Sequence, residues 1–166
     1  RHTGSAQQNV LFMPFDRPDE SPIGAGDGNG QYNYHFGMTI DFTFVMPKNG
    51  QVNGQDMIFE FTGDDDVWVF IDGQLVLDLG GNHDAASGSI NFATGQVTVN
   101  GAVVKDNFKS GDWSDYSEHT FKFFYLERGA YASNCAIRFN IPAVPNNSLS
   151  VEKEVTASST DALTLL

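Results

Sequence analysis

Three carboxylates stand side by side at Asp64, Asp65 and Asp66, inside the run FTGDDDVWVFIDG (residues 61–73). Two unit charges about 4 Å apart repel by roughly 4 kcal/mol at an effective dielectric near 20. Water or a bound cation must offset that repulsion. In an extended strand successive side chains point to opposite faces, so Asp64 and Asp65 share one ion only if the backbone turns sharply between them. A cis peptide makes such a turn at a cost of about 3–4 kcal/mol for a non-proline bond, and a hard cation held by both carboxylates would stabilise it. All-oxygen ligands on a flexible loop favour Ca2+ over Zn2+. Such an ion takes about six to eight oxygens, and the loop ERGAYASN (127–134) is the candidate to supply more of them, with an amide oxygen at Asn134. An ion with open positions can take vicinal sugar hydroxyls, which leads from an acidic run to carbohydrate binding. A solvated turn has the same composition, and the alternating spacing of an EF-hand is absent.

The remaining reactive side chains suggest little. His2, His35, His83 and His119 are scattered without metal-ligand spacing. His83, in GGNHDAASG beside Asn82 and Asp84, is either a ligand contact or an ordinary loop histidine, and His35 in NYHF reads as structural. No Ser-His-Asp order or phosphate-binding loop stands out, and nothing brings Asp84 and Glu127 together as a glycosidase couple. The expectation is a non-enzymatic chain. Tyr131 is a stacking candidate for a sugar face, and Trp113 reads as an exposed-loop or edge residue. Asp72 reads as a turn residue, not a ligand.

These residues must be positioned by strands. Period-two alternation recurs and long helical periodicity does not. In MTIDFTFVMP (38–47) Ile40, Phe42 and Phe44 share one face, and in DMIFEFTG Met57, Phe59 and Phe61 do. VWVFIDGQLVLDLGG predicts a hairpin centred on Asp72–Gly73. GSINFATGQVTVNGAVV predicts turns at Thr94–Gly95 and Asn100–Gly101, and EHTFKFFYLERG and SNCAIRFNIPA two closing strands. If Val67, Val69 and Ile71 face the core, Trp68 and Phe70 face the other side, against a second packed sheet. Cys135, Ile137, Phe139 and Ile141 alternate toward the core, the cysteine as a small hydrophobe. The fold class expected is all-β, a twisted antiparallel β-sandwich or barrel of about eight to ten strands with long loops.

Composition narrows the partners. The 166 residues suffice for one domain and a short appendage. A formal net charge of −12 with nine Lys and Arg argues against nucleic acid and anionic membrane, which need a basic footprint. One cysteine means no internal disulfide framework. No run reaches the roughly eighteen apolar residues of a spanning helix. RHTGSAQQN, at the start, reads as an internal cut from a longer chain.

The segments NYHFGMTIDFTFVMP, FEFTGDDDVWVFIDGQLVLDLGG, ASGSINFATGQV and FYLERGAYASNCAIRFNIP, in this order, resemble a fibro-slime domain over roughly residues 10–144. That family belongs to the protective-antigen-type β-sandwich superfamily, together with flocculin, epithelial-adhesin and bacterial adhesin lectins. The resemblance implies Ca2+ held by two consecutive Asp residues joined by a cis peptide, here Asp64 and Asp65, with Asp66 the less suited neighbour. It places the second ligand loop on Gly129–Asn134, with Asn134 or a main-chain oxygen near Ala132 completing the shell. Tyr131, Ser133, Asn134 and His83 are the candidate sugar contacts beside Asp64 and Asp65. After Pro145 the composition shifts, and Leu149–Val155 reads as one strand, either the start of a next module or a tail docked on this one. LSVEKEV resembles the first strand of a collagen-adhesin B-type stalk domain, which implies an isopeptide bond at Lys153. The expectation is thus a domain over 1–144 and an incomplete module over 145–166. The whole would be a monomeric Ca2+-dependent glycan-binding module of an extracellular, cell-wall-anchored bacterial adhesin. Its partner would be a glycan on a host or neighbouring cell. The alternative is a structural or protein-binding module in which Ca2+ only rigidifies a loop.

Overall fold

The structure is a computed structural model that describes residues 35–64, 66–81, 83, 85–128, 134–141 and 150–152. Its strands are β1 (His35–Val45), β2 (Gln51–Val52), β3 (Gln55–Asp56), β4 (Ile58–Gly63), β5 (Asp66–Ile71) and β6 (Gln74–Leu79), then β7 (Ala86–Asn91), β8 (Val97–Val99), β9 (Ala102–Lys105), β10 (Glu118–Arg128), β11 (Cys135–Phe139) and β12 (Ser150–Glu152). Among the described residues there is no α-helix, only a 3-10 turn over Lys48–Gly50. One five-stranded sheet runs β12-β1-β10-β5-β6, a second β11-β4-β7-β8-β9, and β2 and β3 form a short ribbon. Neighbours are antiparallel, and β1 and β10 stay in register from His35↔Arg128 to Val45↔Glu118. The all-β sandwich expected from the alternation is the fold.

Period-two patterning explains how the sheets meet. In β10 the residues His119, Phe121, Phe123, Tyr125 and Glu127 are buried, and those between them look outward. Phe59 and Phe61 come from β4 of the facing sheet, and Met57 is the residue just before it. Phe59 meets Phe121 at 5.1 Å between ring centres and Phe61 meets Phe123 at 6.0 Å, so aromatic pairs staple one inner face to the other. Two of the three predicted turns are two-residue hairpins; Thr94–Gly95 lies instead in the longer loop between β7 and β8, where the Gly95 N–H donates to the Asn91 carbonyl at 2.8 Å. Asp72 and Gly73 have φ of 50° and 75°, and Asn100 and Gly101 50° and 78°, the left-handed pairs that match the twist of a tight hairpin.

Three expectations change. No second sheet covers Trp68 and Phe70 among the described residues: they lie on the outer face of the first sheet, lining an apolar groove of about 470 Å3 with Phe124 and Leu126. Ile137 is 37% exposed although Cys135 and Phe139 pack against the core, because β11 is an edge strand and little covers its middle. Trp113 is no exposed-loop residue but half-buried against Phe92, Phe108 and Phe44. In the tail, Ser150–Glu152 pairs with β1 through Ile40↔Val151 and so extends the first sheet. Lys153 lies outside the described residues.

Candidate functional site

Five chain segments converge at one end of the sandwich. β4 stops at Gly63 and β5 starts at Asp66, so the acidic run is the link that carries the chain from one sheet to the other. Register sets Gly63 opposite Cys135 and Asp66 opposite Leu126, while Val67 faces Leu79. A side chain at position 63 could not be accommodated: a Cβ there would lie 2.1 Å from the Asn134 carbonyl oxygen. Glycine therefore lets β11 approach, and the approach creates a reciprocal contact. The Asp64 N–H donates to the Asn134 carbonyl at 3.2 Å, and the Asn134 N–H donates to Asp64 Oδ1 at 2.6 Å. Residues seventy positions apart, both singled out in the sequence, are joined.

Asp66 has a different fate. It is 3% exposed, and the Arg128 fork grips its carboxylate with Nε to Oδ2 at 2.6 Å and Nη2 to Oδ1 at 3.0 Å. The Gly81 N–H also donates to Oδ1. A buried carboxylate held this way is satisfied and committed. Asp64 is half-buried and the Asn134 side chain is exposed, so their oxygens face the solvent end.

Behind them the environment is acidic. Glu127 is buried and accepts the Tyr125 hydroxyl hydrogen bond at 2.8 Å. Burial first, then the negative charges of Asp64 and Glu127, push the Cys135 thiol up to about 12. That thiol stays protonated at neutral pH and is a packing group, not a nucleophile. His83 donates a ring N–H from Nε2 to the Leu79 carbonyl at 2.8 Å, which ties the turn after β6 to the end of the strand. Asp65 and its peptide bond to Asp64, and the loop residues Tyr131, Ala132 and Ser133, lie outside the described residues. Among the described residues no group of three or more His, Cys, Asp or Glu is arranged to hold a metal ion.

At the opposite end the structure joins residues that sequence reasoning kept apart. His119, 4% exposed, places Nδ1 2.6 Å from Asp72 Oδ2 and Nε2 2.7 Å from Ser117 Oγ. The order of atoms is that of a Ser-His-Asp relay. However, the Ser117 hydroxyl donates to the Ser114 carbonyl at 2.8 Å, and the Trp113 ring lies on the imidazole at 3.7 Å and 14°. The arrangement pins the Asp72–Gly73 turn to the loop before β10. Burial alone would raise the Asp72 carboxyl, but the hydrogen bonds from His119 and Thr120, with the His119 charge, outweigh it and hold it below the ordinary carboxylate range. Only the pairing of β5 with β10, Ile71 opposite Phe121, brings position 72 to 119, and no local spacing signals it.

Comparison with known proteins adds a family. The PA14 domain matches residues 23–151. Protein psiI of Dictyostelium discoideum is 36% identical over 139 residues, covering 81% of this chain and 16% of its own length. Protein psiB of the same organism is 31% identical over 137 residues, 80% of this chain and 21% of its own. Protein psiO is 46% identical over 110 residues, 66% of this chain and 12% of its own. The chain spans less than a quarter of the length of each. No solved structure matches.

Proposed function

The chain belongs to the PA14 domain family, and from that premise we propose that it is a Ca2+-dependent carbohydrate-binding module of the fibro-slime branch, displayed outside the cell on a longer surface protein. Domains of this family are often carbohydrate-binding or adhesin-like modules. The observation that carries the reading is the contact of Asp64 with Asn134 beside a carboxylate, Asp66, that Arg128 has already claimed. The donor set suits a hard cation: a half-buried carboxylate and an exposed amide, with no thiolate or imidazole grouped with them among the described residues. Asp64 and Asp65 would hold the ion, and Asn134 and the main chain near Ala132 would close its shell. When bound, the ion offers open positions to vicinal hydroxyls. The chain's own residues position that chemistry: Gly63 admits Asn134 and the Arg128–Asp66 pair anchors the start of β5, while Tyr131, Ser133 and His83 would flank the ligand. The module binds without catalysing. The bacterial, cell-wall-anchored setting rests on the tail's resemblance alone, and relatives from Dictyostelium do not support it.

The test is calorimetric. EDTA-stripped chain is titrated with CaCl2 beside Asp64→Ala and an Asp64→Ala, Asp65→Ala double variant, with thermal melts of each, and a glycan array is run with and without EDTA. Saturable Ca2+ binding lost in both variants, with sugar binding abolished by EDTA, is the expected result. Equal Ca2+ binding by wild type and double variant would sink the proposal. A second reading, a protein-binding module, is favoured by the outward face of Trp68, Phe70, Phe124 and Leu126, the last 39% exposed. An array silent in both conditions moves the assignment there.

A further inference from the structure

The outer face of the second sheet carries a groove of about 480 Å3 whose near end adjoins the acidic pole. Its floor follows from the register. Thr62 of β4 lies between Ala136 of β11 and Ser87 of β7. One step further from Asp64, Glu60 lies between Arg138 and Ser89, and Ser89 lies beside Thr98 of β8. These positions alternate with Phe59, Phe61 and Ile90, all turned into the core, so this set looks outward. Thr62 is two residues, about 7 Å, from Asp64 along the strand. At one side the Asn100–Gly101 turn is fixed to the floor: the Ser87 N–H donates to Asn100 Oδ1 at 2.9 Å and the Asn100 N–H to the Ser87 carbonyl at 2.8 Å.

The chemistry of this floor is specific. Ser89 Oγ and Thr98 Oγ1 share a hydrogen bond at 2.9 Å, and Arg138 donates from Nε and Nη2 to the Glu60 carboxylate. Donors and acceptors interleave, the Glu60–Arg138 ion pair cancels its own charge, and the large apolar side chains that line the groove are Phe61 and the exposed Ile137. The size lies within the range of about 300–1,000 Å3 typical of small-ligand sites. An anionic partner would meet a chain of net charge −12, and the hydroxyls and other polar groups interleaved with Ile137 suit a ligand that has both hydroxyls and C–H faces. What fits is a neutral molecule studded with hydroxyls and long enough to lie across two rows.

We propose that this groove holds the inner residues of an uncharged oligosaccharide whose terminal sugar sits at the acidic pole, which rests on the carbohydrate reading of that pole. The ligand is then a chain and not a single sugar, and selectivity for length is set on a sheet face and not in a loop.

The experiment is a titration of the full chain, in CaCl2, with gluco-, galacto- and manno-oligosaccharides of increasing length. Affinity is expected to rise by about tenfold with the first added residues, as a few net hydrogen bonds allow. Thr62→Trp and Ser89→Trp fill the floor and should return the longer ligand to the affinity of the monosaccharide, leaving the latter unchanged. Glu60→Gln keeps the shape and should weaken only the longer ligand, by several-fold. Melting curves matching wild type confirm that the variants are folded. Affinity that is flat with length, or a length gain that survives both Trp variants, overturns the groove. If no sugar of any length binds in Ca2+, the reading of the acidic pole fails, and the groove falls with it.

Discussion

β5 carries an acid at each end, and each is tied to a base on β10. Asp66 opens the strand and is held by Arg128; Asp72 follows it and is held by His119. The surroundings then diverge. Around Asp72 the end of the sandwich is sealed by rings: Phe92 stacks on Phe139 at 5.1 Å and meets Phe108 edge-on at 5.8 Å, and Trp113 covers His119. Around Asp66 the described rings are fewer: Tyr125 meets Phe36 at 5.9 Å and Phe61 at 6.3 Å. A glycine-sized gap and hydrogen bonds hold Asn134 against Asp64, and a further carboxylate stays accessible. On the proposed reading, acids that stabilise the fold and an acid that serves a ligand differ by what covers them: the sealed pole would bear stability and the open pole binding.

If that division holds, the largest loss of stability comes from the sealed pole. Phe92 is fully buried among Phe44, Phe108, Trp113 and Phe139. Phe92→Ala should cost about 3–5 kcal/mol through lost burial and the cavity left behind. Urea unfolding measures it. Ca2+ affinity of the fraction that remains folded should match wild type, and a drop in affinity would show that the poles are coupled.

Arg128→Ala comes next, at about 1–3 kcal/mol, the cost of leaving a buried polar group short of partners. The Asp66 side chain is 5% exposed and would keep only the Gly81 N–H among the partners described above. Arg128→Lys keeps the charge but loses the fork, so it should recover only part of the loss. Full recovery by lysine would mean that charge alone mattered.

The sealed pole was the harder one to foresee. Alternation in EHTFKFFYLER announced an inner face of rings, and the Asp-Gly and Asn-Gly pairs announced their turns. Both are local signals. The meeting of His119 with Asp72 spans 47 residues and exists only because β5 and β10 pair. The contact of Asp64 with Asn134 was partly legible because GDDD stands out against a chain with few charges, and Asn134 stands in a short glycine-bearing loop between the two closing strands. Three consecutive Asp residues nevertheless look alike until register shows which one meets Arg128. Strand parity placed Trp68 and Phe70 correctly opposite the core, but a strand's own pattern does not say what lies beyond its outer face. For the same reason Ile137 was read as core, since a position at the sheet edge is a property of neighbours.

A smaller effect separates the poles by pH. The Asp72 carboxyl is held below the ordinary carboxylate range, so its stabilisation is present above that range and is lost as pH falls through the lowered value. The melting temperature of wild type should therefore drop more steeply below about pH 4 than that of Asp72→Asn. At neutral pH the substitution should cost about 1 kcal/mol, since a carboxylate 42% exposed is partly screened. Parallel acid melts of the two proteins would refute the role assigned to His119.

The smallest change in the metal-free fold belongs to the residue on which the proposed function most depends. Asp64→Ala removes one hydrogen bond to the Asn134 N–H at an open surface, worth at most about 1 kcal/mol, and the backbone bond from the Asp64 N–H remains. In EDTA the variant should melt close to wild type. In Ca2+ the two should part: a ligand at a hundred times its dissociation constant stabilises the folded state by about 2.7 kcal/mol, and only wild type should gain it. A variant that melts low in EDTA would make Asp64 a structural residue like Asp72. The open pole would then differ from the sealed one in appearance only, because its accessible carboxylate would be doing the work of a buried one.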